Sequence, residues 1–291
     1  MHATPQPVQK STTGHKQLAP RWVRSGLQAF DFVAPTLAQR VVQRLYFKPG
    51  RLRVTPEQRA ILERGDRFEL DVGGIAVAGR QWGRGPRSVW LVHGWGGHLG
   101  QMTALVEPLV AQGFRVIGFD WPGHGASGGD LSSLLHALRA LQHLERFVGP
   151  PSAVVAHSFG AAATLLAVGS GLACERIVLL APVARLKPYV ERFTLALGMS
   201  EARQRAFIER AEAWLEAPFA DFEPLRFTPS LSVPVLVLHS RDDREVELSE
   251  GELLAATWGA GAQLVVKDGL GHRRLLRDSG CIDAAVQFLG A

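Results

Sequence analysis

The stretch Ser152-Ala-Val-Val-Ala-His-Ser158-Phe-Gly160-Ala-Ala-Ala-Thr-Leu-Leu166 constrains this chain more than any other. Ser152 to His157 is a short apolar run with two adjacent valines, the pattern of a buried strand. From Phe159 onward, Gly, Ala, Thr and Leu suit a tightly packed helix. Ser158 therefore falls at the sharpest point of a strand-to-helix turn. A hydroxyl nucleophile needs such a position, clear of its own backbone, to meet an external base. The turn is strained and brings strand and helix close together, so the residues two places either side of the serine must be tiny. They are Ala156 and Gly160. Alanine at 156 breaks the literal G-x-S-x-G pattern but meets the steric requirement behind it. Taken alone, the stretch equally suits a serine that caps a core helix.

The surrounding sequence supplies the context. Arg67 to Val72 and Ile75 to Trp82 alternate around Gly73-Gly74 and read as a β-hairpin. Apolar strands then alternate with helical stretches. Strands are expected at Val89–His93, Phe114–Phe119, Arg176–Leu180, Val235–His239 and Leu264–Lys267, besides the one before Ser158. Helices are expected at Met102–Ala111 and Leu131–Val148, after Ser158, and at about 249–258 and 281–289. Continuous apolar strands between helices imply an α/β fold, a mostly parallel sheet covered on both faces.

The rhythm breaks between Pro182 and Pro234. Residues 188–217 are helical in pattern, and Pro218, Pro224 and Pro229 punctuate the residues after them. Large apolar groups, among them Phe193, Leu197, Phe207 and Trp214, crowd this segment. Inserted after a strand that ends near Ser158, it would sit over the sheet's carboxyl edge as a lid, or pack there as ordinary helices. The expected division is an N-terminal tail and amphipathic helix over 1–65, a core over 66–182 and 231–291, and a helical lid over 183–230. Residues 1 to about 20, rich in Pro, Gln, Ser, Thr and Lys, read as a flexible tail. Pro35 to Phe47 sets Leu37, Val41 and Leu45 against Arg40, Arg44 and Lys48, with Pro35 suited to a first helical turn. Such a helix can pack on the domain or lie weakly on an anionic membrane surface through residues 35–48.

Composition removes other classes. With 291 residues, 46% of them hydrophobic, the chain can bury a large core. Its two cysteines, Cys174 and Cys281, form no disulfide framework and read as small core residues. The N-terminus lacks a positive-then-apolar plan and no apolar run is long enough to span a bilayer, so a cytoplasmic protein is expected. The formal charge of +5 is carried by dispersed arginines, with no dense basic block or nucleic-acid motif. No clustered Cys/His ligand set and no nucleotide-binding glycine loop occurs, so neither metal nor cofactor is expected.

Three further motifs make a resemblance specific. His93-Gly-Trp-Gly-Gly97 closes the first apolar strand; Asp120-Trp-Pro-Gly-His-Gly-Ala-Ser127 follows the next; and Gly269-Leu-Gly-His272 follows the last. With the Ser158 stretch they resemble the α/β-hydrolases over roughly residues 66–291. The resemblance implies backbone N–H donors for an oxyanion at Trp95 and Phe159, and an architectural role for the loop of Asp120 and His124. It implies a Ser158, Asp243, His272 order of nucleophile, acid and base, with Asp242 the alternative acid. His93, Phe193, Leu197 and Trp214 are expected to line the substrate, and His98 and His124 the entrance. His157 is expected to point away from the site.

A chain of this kind is expected to be a serine hydrolase cleaving a small-molecule carboxylic ester or thioester with an apolar acyl or aromatic part. The same machinery serves acyltransferases and carbon–carbon hydrolases, and a non-catalytic binding module for an apolar ligand stands as the alternative from another class.

Overall fold

The computed structural model describes residues 18–290; the expected tail lies, up to residue 17, outside the described residues. Eight strands form one sheet: β1 (Asp66–Val72), β2 (Ile75–Trp82), β3 (Ser88–Val92), β4 (Arg115–Phe119), β5 (Ala153–His157), β6 (Arg176–Leu180), β7 (Val235–Ser240) and β8 (Ala262–Lys267). Their order is β1-β2-β4-β3-β5-β6-β7-β8. β2 pairs antiparallel with both β1 and β4, and every pairing from β4 to β8 is parallel. The sheet is the one expected from the apolar strand pattern.

Strand alternation divides the core into two layers. Trp90, Val92, Val154 and Ala156 face one side. They pack there against helices α5 (Leu134–Val148), α6 (Phe159–Gly169) and α9 (Leu248–Trp258). Val89, Leu91, Val155 and Val178 face the other side, against a 3-10 segment at Leu99–Leu105, helix α4 (Val106–Ala111) and helix α11 (Ser279–Gly290). Cys281 is buried in this second layer, and both cysteines are free. Two element starts differ from expectation for local reasons. α5 begins at Leu134 because the Ser133 hydroxyl accepts from the His136 amide at 3.3 Å and so caps it. Residues 99–105 wind as a 3-10 segment, so only Val106–Ala111 of the expected Met102–Ala111 helix is α.

Ahead of the sheet, two helices, α1 (Arg21–Val33) and α3 (Pro56–Glu63), are additional to the expected ones. α3 starts at a capping box in which Thr55 and Gln58 bond each other's backbone amides. α2 spans Pro35–Phe47 as expected, but the face that packs is not the Leu37, Val41, Leu45 stripe. Ala38, Val42 and Phe47 are buried, while Leu37, Val41 and Leu45 point to solvent. Tyr46 and Phe47 enter an aromatic cluster with the segment between β6 and β7. In it the Tyr46 ring lies 4.9 Å from Phe193 and 5.3 Å from Phe207, and Phe47 lies 4.4 Å from Trp214.

That inserted segment holds α7 (Lys187–Ala196), α8 (Glu201–Leu215) and three short 3-10 turns between Phe219 and Ser230. Two buried or half-buried carboxylates hold its start. Glu250 accepts from the amides of Ala184 and Arg185 and pairs with the Arg185 guanidinium, and Glu223 accepts from the amides of Leu186 and Lys187. A four-residue helix, α10 (Gly271–Arg274), follows β8. Among the described residues, no helix is long and apolar enough to cross a membrane.

Candidate active site

β5 ends at His157 and α6 begins at Phe159, leaving Ser158 alone in the turn with φ 54° and ψ −122°. A non-glycine residue at positive φ is strained, and the surrounding packing must hold it there. The cause is visible at Gly160, where a Cβ would collide with the carbonyl oxygens of Val92 and His93. Helix and strand approach that closely only with glycine at this point. Gly94 meets the serine from the other side, since a Cβ on it would lie 2.9 Å from Ser158 Cβ.

The topology gathers the partners from the carboxyl ends of β7 and β8. His272 Nε2 lies 3.0 Å from Ser158 Oγ, and His272 Nδ1 lies 2.8 Å from Asp243 Oδ2. All three residues are buried. The second Asp243 oxygen accepts from the amides of Glu245 and Val246 at 2.8 and 2.9 Å. Burial works against the Asp243 carboxylate. The hydrogen bond and charge of His272, with the Val246 and Glu245 amides, nevertheless hold its pKa below the ordinary carboxylate value.

Asp242 is exposed and turns elsewhere. Its Oδ1 accepts from the Ser240 hydroxyl at 2.6 Å, and that hydroxyl in turn accepts from the amides of Leu270 and Gly271. The adjacent aspartates thus divide their contacts, Asp243 to the imidazole and Asp242 to the loop that carries it.

The loop after β3 passes in front of the serine. Trp95 and Phe159 both line a cavity of about 340 Å³ that contains Ser158 and His272. No described protein group accepts a hydrogen bond from either backbone amide. Gly96, at φ 68°, donates its own amide to His124 Nε2 at 3.0 Å. His124 is therefore a brace for this loop and is fully buried, as is nearly the case for His98; neither lines the entrance as expected. Burial first, and then the neighbouring His93, push the His124 pKa down to about 3, so its Nε2 stays an acceptor.

His157 departs furthest from expectation. It lines the cavity instead of pointing away, and its Nε2 donates to the His272 carbonyl at 3.0 Å while the two rings sit 4.6 Å apart. Burial, then the charge of His272, push its pKa down to about 3. A neutral ring can sit against an imidazole that takes up a proton; a charged one could not. Adjacent side chains were expected to diverge at the turn, but His157 and Ser158 both reach the cavity.

The four residues expected to line the substrate separate. Phe193 lines a second cavity of about 300 Å³, an apolar chamber shared with Tyr46, Phe47, Leu134 and Phe219. His93 does not: it is fully buried, with Nδ1 2.8 Å from the Gly94 carbonyl and Nε2 accepting from the Trp121 amide at 3.1 Å. Leu197 lines a different, smaller cleft with Leu27, Ala38 and Val42, because α1 and α2 fill the space on its side. Trp214 stands behind the chamber wall, between the rings of Phe47 and His136. Trp95, Phe159 and Tyr189 belong to both cavities and form the passage between them. Arg192, Arg244, Glu245 and Arg273 rim the cavity of Ser158 on its outer side. Sequence reasoning missed Tyr46, Phe47 and Tyr189; the first two stand on a helix far away in the chain, with no motif to mark them.

Comparison with known proteins agrees with this fold. Residues 86–215 match a family described as serine aminopeptidase, S33, and residues 211–289 match one described as TAP-like protein. An esterase of Pyrococcus furiosus superposes with a TM-score of 0.63 at 19% identity, covering 83% of this chain and 95% of that one. An esterase of Exiguobacterium antarcticum gives 0.60 at 16% identity, covering 78% of this chain and 100% of the other. The chain has the α/β-hydrolase fold, and the two family matches together run over residues 86–289. In sequence it is also similar to the dihydrolipoyllysine-residue acetyltransferase component of the acetoin cleaving system of Cupriavidus necator, at 33% identity over 154 residues. That match takes in 50% of this chain but only 41% of the relative's length.

Proposed function

We propose that this chain is a serine hydrolase that cleaves carboxylic esters or thioesters of apolar acyl groups through an acyl-enzyme. The observation that carries the reading is the unbroken hydrogen-bonded array Ser158–His272–Asp243 at a passage into an aromatic chamber. On this reading the acyl chain lies in the chamber among Tyr46, Phe47, Phe193 and Phe219. The leaving alcohol or thiol lies toward the basic outer rim.

His272 Nε2 takes the hydroxyl proton as Ser158 Oγ attacks the acyl carbon, and the tetrahedral oxyanion accepts from the amides of Trp95 and Phe159. Asp243 keeps the other imidazole nitrogen protonated and stabilises the imidazolium. His272 then gives its proton to the leaving group. Water, activated by the same imidazole, releases the acid and restores the serine. The inserted segment 183–230 acts as the lid of this chamber, and the core comprises 66–182 and 231–291 with α2 as part of the chamber wall.

Hydrolysis of p-nitrophenyl esters from short to long acyl chains tests the reading. Turnover that prefers apolar chains and falls by several orders of magnitude in Ser158→Ala and His272→Ala is expected. A wild type that labels with a fluorophosphonate but hydrolyses no ester or thioester would assign the array to another bond. The likeness to the acetyltransferase component favours a second reading, acyl transfer to an acceptor other than water. Partitioning of the acyl-enzyme toward added alcohols or thiols at the expense of free acid would select it.

A further inference from the structure

The N-terminal helices leave a surface that the hydrolase reading does not use. Residues 1–53 contain nine Lys and Arg against one acid, Asp31, a charge of +8. The remaining 238 residues therefore carry −3 of the chain's net +5. The same region concentrates exposed apolar groups. Of the ten large apolar side chains that lie exposed among the described residues, eight fall between Leu18 and Leu52. On α1, Trp22 is 77% exposed, Phe32 88% and Val33 81%. Gly26 and Ala29 lie between them on the same helical face and are exposed too. On α2 the exposed stripe is Leu37, Val41 and Leu45, one residue per turn. Arg21, Arg40 and Arg44 stand exposed beside these stripes.

We propose that α1 and α2 form a docking surface for an anionic lipid membrane. Apolar stripes of this size on a soluble surface mark an interaction face, and helices with flanking arginines match the interface between acyl chains and negatively charged headgroups. Two other occupants fit less well. A second copy of the chain would bring two strongly basic faces together. Residues 1–17 contain Met1 and Val8 as their large apolar groups, too few to cover the stripes, and two lysines that would add to the charge. The position of the face gives it a use. Leu45 ends the α2 stripe and also lines the aromatic chamber, while Leu52 lines the cavity of Ser158. A membrane against this face lies at the mouth through which an apolar acyl chain enters. The docking itself does not depend on the proposed reaction.

Co-sedimentation of the full chain with vesicles of phosphatidylcholine alone, and of an equimolar phosphatidylglycerol and phosphatidylcholine mixture, tests the surface. Binding to the anionic vesicles that weakens as salt is raised, with little binding to phosphatidylcholine, is expected. Trp22→Ser with Phe32→Ser lowers the partition coefficient at least about tenfold, and Arg21→Gln with Arg40→Gln about 30-fold. Both variants keep the wild-type circular dichroism, because the replaced side chains are exposed. Ser158→Ala binds as wild type, which separates this surface from the reaction. The proposal is overturned if the wild type fails to sediment with anionic vesicles, or if the two pairs of substitutions leave binding unchanged. A solution dimer that Trp22→Ser with Phe32→Ser dissociates would also overturn it, by giving the face to a second copy.

Discussion

The cavity that holds Ser158 and the chamber that holds Phe193 share three wall residues but are built by opposite means. The first is made of loops at the carboxyl ends of β3, β5, β7 and β8, and hydrogen bonds hold its titratable aspartate and histidine side chains in place. Asp243 accepts from three donors, His124 braces Gly96, and His157 holds the His272 carbonyl. Its backbone is strained at Ser158, and a methyl group at Gly160 has no room. The second is made of side chains from α2, α5 and the inserted segment, in aromatic contact and with few hydrogen bonds between them. A hydrogen-bonded array tolerates displacements of tenths of an ångström, whereas an apolar wall tolerates exchange of one hydrophobe for another of similar volume. Changes in the first should therefore alter the rate for every substrate, and changes in the second should alter which substrate is used.

The sharpest break in that comparison comes from the paired aspartates. Asp243→Asn is expected to lower kcat by about 10⁴-fold on all ester lengths, because the imidazole loses the partner that sets its tautomer. Asp242→Asn, which only loosens the loop of Gly271, is expected to cost no more than about 10²-fold. Steady-state kinetics on one short and one long ester checks both.

Acid should act on the polar side first. The buried His93, His124 and His157 have folded pKa values of about 3, below the ordinary histidine value. Between pH 6.5 and 3 the unfolded chain therefore binds more protons at these positions than the folded one, and stability falls as pH falls through that window. The slope is about 1.4 kcal/mol per pH unit for each histidine well inside the window. The depressed Asp243 adds to the loss only at lower pH, as its own carboxylate is protonated. Urea unfolding at pH 7 and pH 5 measures the effect, and His124→Gln should reduce the difference.

Phe193→Ala probes the other side. It is expected to cost about 1–3 kcal/mol in kcat/KM on long acyl chains and to leave short esters nearly unchanged. An equal loss on both would mean that the chamber supports the array and does not hold the substrate. The smallest expected effect belongs to His157. Replacing it with Ala removes one hydrogen bond to the His272 carbonyl, about 1 kcal/mol or a fivefold fall in kcat at unchanged KM. His157→Gln, which keeps a donor, should recover part of it.

The same contrast explains what the amino-acid sequence disclosed. The Ser158 turn was readable because sterics fix residue type and spacing there, whereas the glycine loop after β3 and the pairing of Asp243 with His272 were suggested by resemblance to a family pattern. The strands were readable because continuous apolar runs bury on both faces. The chamber was only half readable. Phe193 could be picked out as one aromatic among many in an apolar insertion, but Tyr46 and Phe47 reach the same place from a distant helix, and hydrophobic packing leaves no spacing rule to show it. The α2 stripe misled for a related reason. Leu37, Val41 and Leu45 have the better apolar periodicity, yet the domain packs against the smaller Ala38 and Val42 because α1 and α8 approach closely on that side. His157 was misjudged because neighbouring side chains do not diverge at this turn: His157 and Ser158 both line the cavity.

Reaction with a fluorophosphonate, followed by mass spectrometry of the labelled peptide, tests the central claim most directly. One adduct at Ser158, formed in wild type and lost or slowed by orders of magnitude in His272→Ala, is the predicted result. A protein that takes up no label, or labels equally well without the His272 imidazole, would contradict it, and the buried array would then be architecture without a nucleophile.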